Sequence, residues 1–493
     1  MHAPEQTARR APFLLTTPGR REALWLAAVL VLLACLPVLS AVRPQMTDYP
    51  SHLARYYIML DAGRGEWLAK YYSFKWSWSG NLGVDLLMWP MARLFGLETA
   101  GRIIAAVIPP LCGAAMMAVE WTLRRRIGVG TLLALVTVWS PALLMGLLNF
   151  SLSLALALFA FAGWVRLEQW RWRPLLFLPV GMLVWVCHLA GWGVLGVLVL
   201  GYELHKRRSL AAFFAPWPLG LPALDLLTGG GPPGMLSYGA YVANYKLTIW
   251  SMALRDQSYW LDIGTLASLV LAMVVAALFR RIDWRLGLAA LAFAVLSLAL
   301  PRHLGGGDYT DFRLIAVALT TGCLAIDWVP PRFVLWLAPA LYLGRLAVTV
   351  TSWQASSREL EAMLLALDHI PRGARVAGAV LQDSSVWATD TLQHVPSYAT
   401  VHRDALVNTH FAEPGVHMLR LRQHQRGFTD PSQRLLLGPG QPIDLAAFAP
   451  ARQADYLWYI GTRAPTTIPA GAVVLYATRS SFLARLAKAP PAR

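Results

Sequence analysis

Between residues 22 and 352 the chain returns again and again to apolar runs close to the ~20 residues a helix needs to cross a bilayer. About eleven such runs are read, at 22–42, 100–121, 129–148, 150–166, 174–190, 191–205, 210–227, 259–279, 285–301, 312–328 and 333–352. The stretches 129–166 and 174–205 are each too long for one span and divide at Asn149 and at Gly191 to Gly193. A chain that is 56% hydrophobic and 14% charged is no ordinary soluble enzyme, because soluble chains carry about a quarter charged residues. The first run follows Arg20 and Arg21 and lacks a small-x-small cleavage site before Arg43, so it reads as an uncleaved span and not a signal peptide.

The formal charge of +16 does not point to nucleic acid, because the basic residues sit in short clusters between apolar runs. That is the pattern of cytoplasmic loops. With the N-terminus cytoplasmic, the inner loops hold Arg124 to Arg126, Arg166, Arg171 and Arg173, Lys206 to Arg208, Arg280, Arg281 and Arg285, and Arg332. The short outer turns at Asn149 and Gly191 hold no Lys or Arg, and the outer loop 228–258 holds only Lys246 and Arg255. The sequence therefore predicts a cytoplasmic tail (1–21), a transmembrane domain (22–352) and a periplasmic domain (353–493) of a multi-pass bacterial inner-membrane protein.

The outer loop 43–98 is long and mixed in charge. Helical spacing over 49–59 and 84–95, with Trp67, Trp76, Trp78 and Trp89 nearby, predicts short helices lying in the membrane interface. After the last span the composition turns polar. A helix is expected at 360–369 and strands at 375–381, 455–460 and 472–476, making a small α/β domain. Cys35, Cys112, Cys187 and Cys323 all lie in apolar runs without CxxC spacing, which argues against a zinc site or a disulfide framework.

Charged groups are costly at membrane depth, by about 2.5–3.5 kcal/mol each on insertion scales, so their placement is informative. In TDYPSHLAR, Asp48, His52 and Arg55 fall on one face of a short helix starting near Pro50. An Asp there suits a general base and an Arg suits an anionic group; the plainer reading is a capping Asp48 and an Arg55 that snorkels to headgroups. In PRHLGGGDYTDFR, Arg302, His303, Asp308, Asp311 and Arg313 surround three glycines that let backbone approach a ligand. Guanidinium forks match phosphate oxygens, although a solvated loop with interfacial anchors is the bland alternative. The glycine run is neither a Walker nor a dinucleotide motif. Asn149 and His188 interrupt apolar helices near the same surface and are candidate supporting groups, each also consistent with an interhelical hydrogen bond. The GGGPPG start of loop 228–258, followed by Tyr238, Tyr241 and Tyr245, suggests a cover. Asp48 with His52 offers two possible ligands to a divalent ion, which is short of a site.

A first span entering from the cytoplasm, a long first outer loop with an early Asp in TDYPSHLAR, a succession of spans and a C-terminal outer α/β domain together resemble the GT-C superfamily of membrane glycosyltransferases. LLNFSLSLALAL, CHLAGWG and HVPSYATVHRDALVNTHF resemble uncharacterised bacterial proteins of that kind. The resemblance implies a polytopic helical fold, a polyprenyl-phosphate sugar as donor, a glycan, lipid or protein as acceptor, and Asp48 as base of an inverting transfer. His52, Arg55, Arg302, His303 and Arg313 become the candidates for the phosphate. The adjacent acidic pair of several family members is missing, since Tyr49 follows Asp48, and so is the WWD-type motif of oligosaccharyltransferases. Two other readings are a transporter or flippase for an envelope lipid, and a non-catalytic assembly protein.

Overall fold

The structure, a computed structural model, describes residues 12–228, 235–305, 307–383, 386–412, 417–428, 435–437 and 440–487. The GGGPPG segment and Gly306 lie outside these residues.

The first apolar run forms α1 (Arg20–Leu33) and α2 (Leu36–Ser40), divided where Pro37 cannot donate to the helical ladder. The following loop carries α3 (Tyr49–Asp61), α4 (Glu66–Tyr71), the short strand β1 (Tyr72–Phe74) and α5 (Gly83–Phe95). The bundle continues through α6 (Leu97–Arg124), α7 (Val129–Ala134), α8 (Pro141–Leu144), α9 (Leu148–Arg166), α10 (Arg173–Cys187), α11 (Leu189–Arg207) and α12 (Leu221–Thr228). A strand β2 (Met235–Ser237) and α13 (Val242–Ser251) precede α14 (Tyr259–Leu278) and α15 (Trp284–Ala299); then come β3 (His303–Gly305), α16 (Thr310–Leu324), α17 (Arg332–Leu335) and α18 (Leu337–Leu364).

Among the described residues, Arg20–Ser40, Leu97–Arg124, Leu148–Arg166, Tyr259–Leu278 and Arg332–His369 are long and apolar enough to cross a membrane, and Arg173–Cys187 and Trp284–Ala299 are apolar but shorter. Small residues bring helices together. A Cβ on Gly191 of α11 would lie 2.0 Å from Ser153 Oγ of α9, and one on Gly201 would lie 3.0 Å from the Ala289 nitrogen of α15.

Three expected spans differ from single 20-residue helices. The run 129–148 breaks into α7, a 3-10 turn and α8, interrupted before Pro141. This is possible because residues 127–144 are buried inside protein, where lipid never meets the open backbone. The Glu120 carboxylate accepts from the backbone nitrogens of Gly128 and Thr131, both at 3.2 Å, and so satisfies the start of α7. In the run 210–227, Pro216 and Pro218 limit regular structure to 3-10 turns before α12. The last run continues well past residue 352, because α18 carries on to Leu364 as the support of the next domain.

That domain is a mixed sheet of β4 (Arg375–Asp383), β5 (Leu406–Val407), β7 (Leu435–Leu437), β8 (Tyr456–Ile460), β9 (Val473–Ala477) and β10 (Ser481–Arg485), with β6 (Leu419–Leu421) paired elsewhere. The order is β5-β4-β8-β10-β9, with β7 paired to one end of β4; β4 is parallel to β5, β7 and β8, and β10 is antiparallel to β8 and β9. A short helix α19 (Tyr398–Arg403) packs against α3.

The sheet domain and the first loop are stitched into one unit. β1 pairs antiparallel with β6, Tyr57 donates to Asp404 at 2.8 Å, and the Val42 nitrogen donates to Ser357 Oγ on α18 at 3.0 Å. At the opposite end of the bundle, Arg124 meets Glu120 (2.9 Å) and Asp283 (3.3 Å), Arg173 meets Glu203 (3.3 Å), and Arg332 meets Glu22 (2.6 Å). The loops read as inner thus gather at one end, and the loops read as outer gather beneath the sheet.

Candidate active site

Asp48 stands at the start of α3, where Pro50 fixes the first turn. Its position comes from below: the backbone nitrogens of Thr47 and Asp48 donate to the carbonyls of Leu144 (3.2 Å) and Met145 (2.9 Å) at the end of the broken α7–α8 segment. Gly146, at φ +88°, lets that backbone turn beneath Asp48; its Cβ would sit 3.3 Å from the Tyr49 nitrogen. The carboxylate makes no capping bond to α3, so the simple N-cap role does not describe it. Oδ1 instead faces His394 Nε2 of the sheet domain at 3.5 Å.

His394 is buried, and its Nδ1 lies 2.7 Å from the Thr409 carbonyl, an acceptor only. Nδ1 must therefore carry hydrogen, which leaves Nε2 as the lone-pair nitrogen of the neutral ring. The Gln393 amide lies 3.3 Å from that nitrogen. The sequence had drawn attention to the HVPSYATVHRDALVNTHF stretch without assigning His394 a role. Only the fold brings it to Asp48, more than three hundred residues away in the chain.

Arg313, in the first turn of α16, has both Asp48 and Asp308 within electrostatic reach. Its Nη1 lies 3.1 Å from His188 Nε2, and its Nε is buried with no hydrogen-bond partner among the described residues. His188 joins α10 to α11, and its Nδ1 accepts from the Ala190 backbone nitrogen at 3.0 Å. The neutral ring then holds its hydrogen at Nε2. Two donors consequently face each other at 3.1 Å, a pairing that an anionic oxygen placed against both would relieve. The Phe150 ring packs edge-on against His188, with centroids 5.6 Å apart.

The other predicted residues are placed as follows. Arg55 forms a two-pronged pair with buried Asp85, at 2.6 and 3.1 Å, so its fork is occupied inside the protein. Asn149 extends this network: Oδ1 accepts from the Val84 nitrogen at 2.6 Å, and Nδ2 reaches Asn81 Oδ1 (2.9 Å) and Asp85 (3.3 Å). It thereby pins the start of α5 to α9. The His52 imidazole lies against Phe411 and is held well below the usual histidine range, first by burial and then by the charges of Arg55, His394 and His417. Its Nδ1 is buried and has no hydrogen-bond partner among the described residues.

Arg302 and His303 both turn to Asp308, at 3.0 and 3.3 Å, in a half-exposed turn where Arg302 also stacks over Tyr309. β3 in this turn pairs antiparallel with β2, which brings residues 235–237 against it. Asp311 is buried in a salt bridge with Lys246 at 2.5 Å, and Lys246 also donates to the carbonyls of Ser297 and Leu300. That bridge fastens α13 over the ends of α15 and α16. Among the described residues, no three His, Cys, Asp or Glu side chains gather in a way that would hold a metal ion.

A first loop of short helices with Asp48 at its start, a helical bundle and a sheet domain over one end make up the fold. The backbone is similar to ArnT from Cupriavidus metallidurans in two solved states. Against the apo state the TM-score is 0.50 at 12% identity, covering 94% of this chain and 97% of that one. Against the state bound to undecaprenyl phosphate it is 0.51 at 12% identity, covering 95% and 98%. No protein-family model and no curated protein matches the sequence.

Proposed function

We propose that this chain is an integral membrane glycosyltransferase that moves a sugar from a polyprenyl-phosphate donor to an envelope acceptor on the non-cytoplasmic side. The single observation that carries the reading is the convergence of Asp48, His188, Arg313 and His394, from four distant stretches of chain, beneath the sheet domain of an ArnT-like fold. The positive-inside distribution of Lys and Arg in the sequence supports putting that end outside the cytoplasm.

In this mechanism the lipid phosphate lies against Arg313 Nη1 and Nε and His188 Nε2, whose hydrogens meet its oxygens. Arg302, half exposed and held by Asp308, exchanges that partner for the arriving headgroup. Asp48 removes the proton of an acceptor hydroxyl as its oxygen attacks the anomeric carbon from the side opposite the phosphate. The bond to the phosphate oxygen breaks with inversion, and the negative charge growing there is stabilised by the same donors. Undecaprenyl phosphate, bound by the similar ArnT fold, is the donor lipid to try first.

The test is purified protein incubated with candidate undecaprenyl-phosphate sugars and envelope acceptors, with mass analysis of the lipid and glycan products. Asp48→Asn is expected to abolish transfer while preserving folding and donor binding. Transfer by a correctly inserted Asp48→Asn protein would remove Asp48 from the chemistry.

A further inference from the structure

We propose that His394 is the proton-accepting partner of Asp48, so that the working base is the Asp48–His394 pair, assembled only when the sheet domain sits on the bundle. This inference deepens the glycosyltransferase reading and rests on it.

The geometry carries the argument. His394 Nδ1 is committed to the Thr409 carbonyl at 2.7 Å, which fixes the ring and turns the Nε2 lone pair towards Asp48 Oδ1 at 3.5 Å. A carboxylate and a lone pair that face each other in this way repel unless a proton lies between them. The Gln393 amide meets Nε2 at 3.3 Å, and a proton arriving between Oδ1 and Nε2 would take its place and be shared by the two groups. Such groups titrate together. When an acceptor hydroxyl loses its proton to Asp48, the proton passes on to Nε2, the carboxylate regains its charge, and the imidazolium is stabilised by it. No electron changes hands: the new bond is from acceptor oxygen to the anomeric carbon, the broken bond is from that carbon to the phosphate oxygen, and the proton finishes on His394 before leaving to solvent.

The gain is one of basicity. An unperturbed carboxylate takes a proton near pH 4, while an imidazole takes one near 6.5, so the relay leaves the proton on the stronger base by about two and a half orders of magnitude. Among the described residues, the groups around His394 are Asp48 and His52 on α3, the neutral Gln393 amide beside it, and His410 and the Phe411 ring, with Arg313 of α16 reaching it through Asp48. The Asp390 carboxylate is joined to His394 through the Gln382 and Gln393 amides, whereas Asp48 meets Nε2 directly at 3.5 Å, so removing Asp48 is the change that acts most directly on His394.

The experiment compares wild type, His394→Asn and His394→Gln in detergent or nanodiscs. Asn keeps a donor for the Thr409 carbonyl but loses the Nε2 position, whereas Gln places a polar group there that does not take up a proton. Both variants are expected to lower the plateau kcat at least about tenfold, towards the 10²–10⁴ that a full general base contributes. Both are also expected to move the acid limb of the transfer rate from the imidazole range, about 6.5, towards the carboxylate range, about 4. A merely structural role would lower the plateau and leave the limb in place. An acid limb that coincides with wild type, or a full rate in His394→Asn, overturns the proposal.

A readout that needs no transfer separates this failure from failure of the glycosyltransferase reading. In protein labelled with 13C at histidine Cε1, the His394 resonance, assigned by its loss in His394→Asn, is expected to titrate at lower pH in Asp48→Asn than in wild type. An unchanged titration would refute the pair even in a protein that transfers sugar. A shifted one would support it in a protein that shows no transfer.

Discussion

Arg55 offers the sharpest contrast between a ligand and a structural part. In the sequence it shares a helix face with Asp48 and reads as a candidate for the lipid phosphate; in the fold its guanidinium meets Asp85 in two prongs at 2.6 and 3.1 Å, the Arg side chain 8% exposed and the Asp fully buried. Breaking a buried pair from one side leaves the other charge stranded, at a cost of about 3–5 kcal/mol, while replacing both by apolar groups of similar volume is often neutral. Asp85 has one further bond from Asn149 at 3.3 Å, too long to replace the lost guanidinium. Arg55→Met is therefore expected to lower the unfolding free energy by about 3–5 kcal/mol, and Arg55→Met with Asp85→Leu to recover most of that loss. The assay is a double-mutant cycle on unfolding midpoints of the purified protein, with donor KM measured alongside. If Arg55→Met unfolded like wild type and only donor KM rose, Arg55 would be a phosphate ligand and the buried pair would have no structural importance.

Arg313→Ala removes a charged donor from the proposed phosphate site and is expected to raise donor KM by roughly 10- to 100-fold, the range of a hydrogen bond to a charged group, with Arg313→Lys intermediate; unchanged KM would put the phosphate elsewhere. Gly191→Val is expected to destabilise by about 1–3 kcal/mol, because even a Cβ would lie 2.0 Å from Ser153 Oγ; a thermal melt equal to wild type would contradict the close packing of α9 and α11. His410 and His417 in the sheet domain are pushed down to about 3 and about 4, chiefly by burial. Their folded values lie below the unfolded one, so the unfolded chain binds the extra protons. Their contribution is intact above about pH 6.5 and is lost progressively as pH falls towards those folded values. Replacing His410 by Gln is expected to flatten the acid-side loss of stability in a pH series of melts, and an unaltered slope would count against its burial as a neutral ring.

The membrane architecture was legible because it follows from composition along the chain. The apolar runs are one-dimensional signals that the bilayer itself imposes, and five helices among the described residues are long and apolar enough to cross it. The strands around 375–381, 455–460 and 472–476 were legible from their apolar patterning. The broken path of residues 129–144 was not, since nothing local tells a run buried in protein from one facing lipid. Asp48 and Arg313 stood out as scarce charges, but the pairings did not. Arg55 with Asp85, Asp311 with Lys246, and His394 with Asp48 depend on tertiary geometry at separations of 30, 65 and 346 positions.

The continuity of α18 sets the working height of the molecule. As an unbroken rod of 28 residues it measures about 42 Å, roughly 12 Å more than the thickness of a hydrocarbon layer of about 30 Å. The sheet domain follows directly on that rod, through a 3-10 turn at Leu365–His369 and then β4. Under the proposed function, a lipid donor would keep its tail in the leaflet and offer its head to the site beneath the sheet.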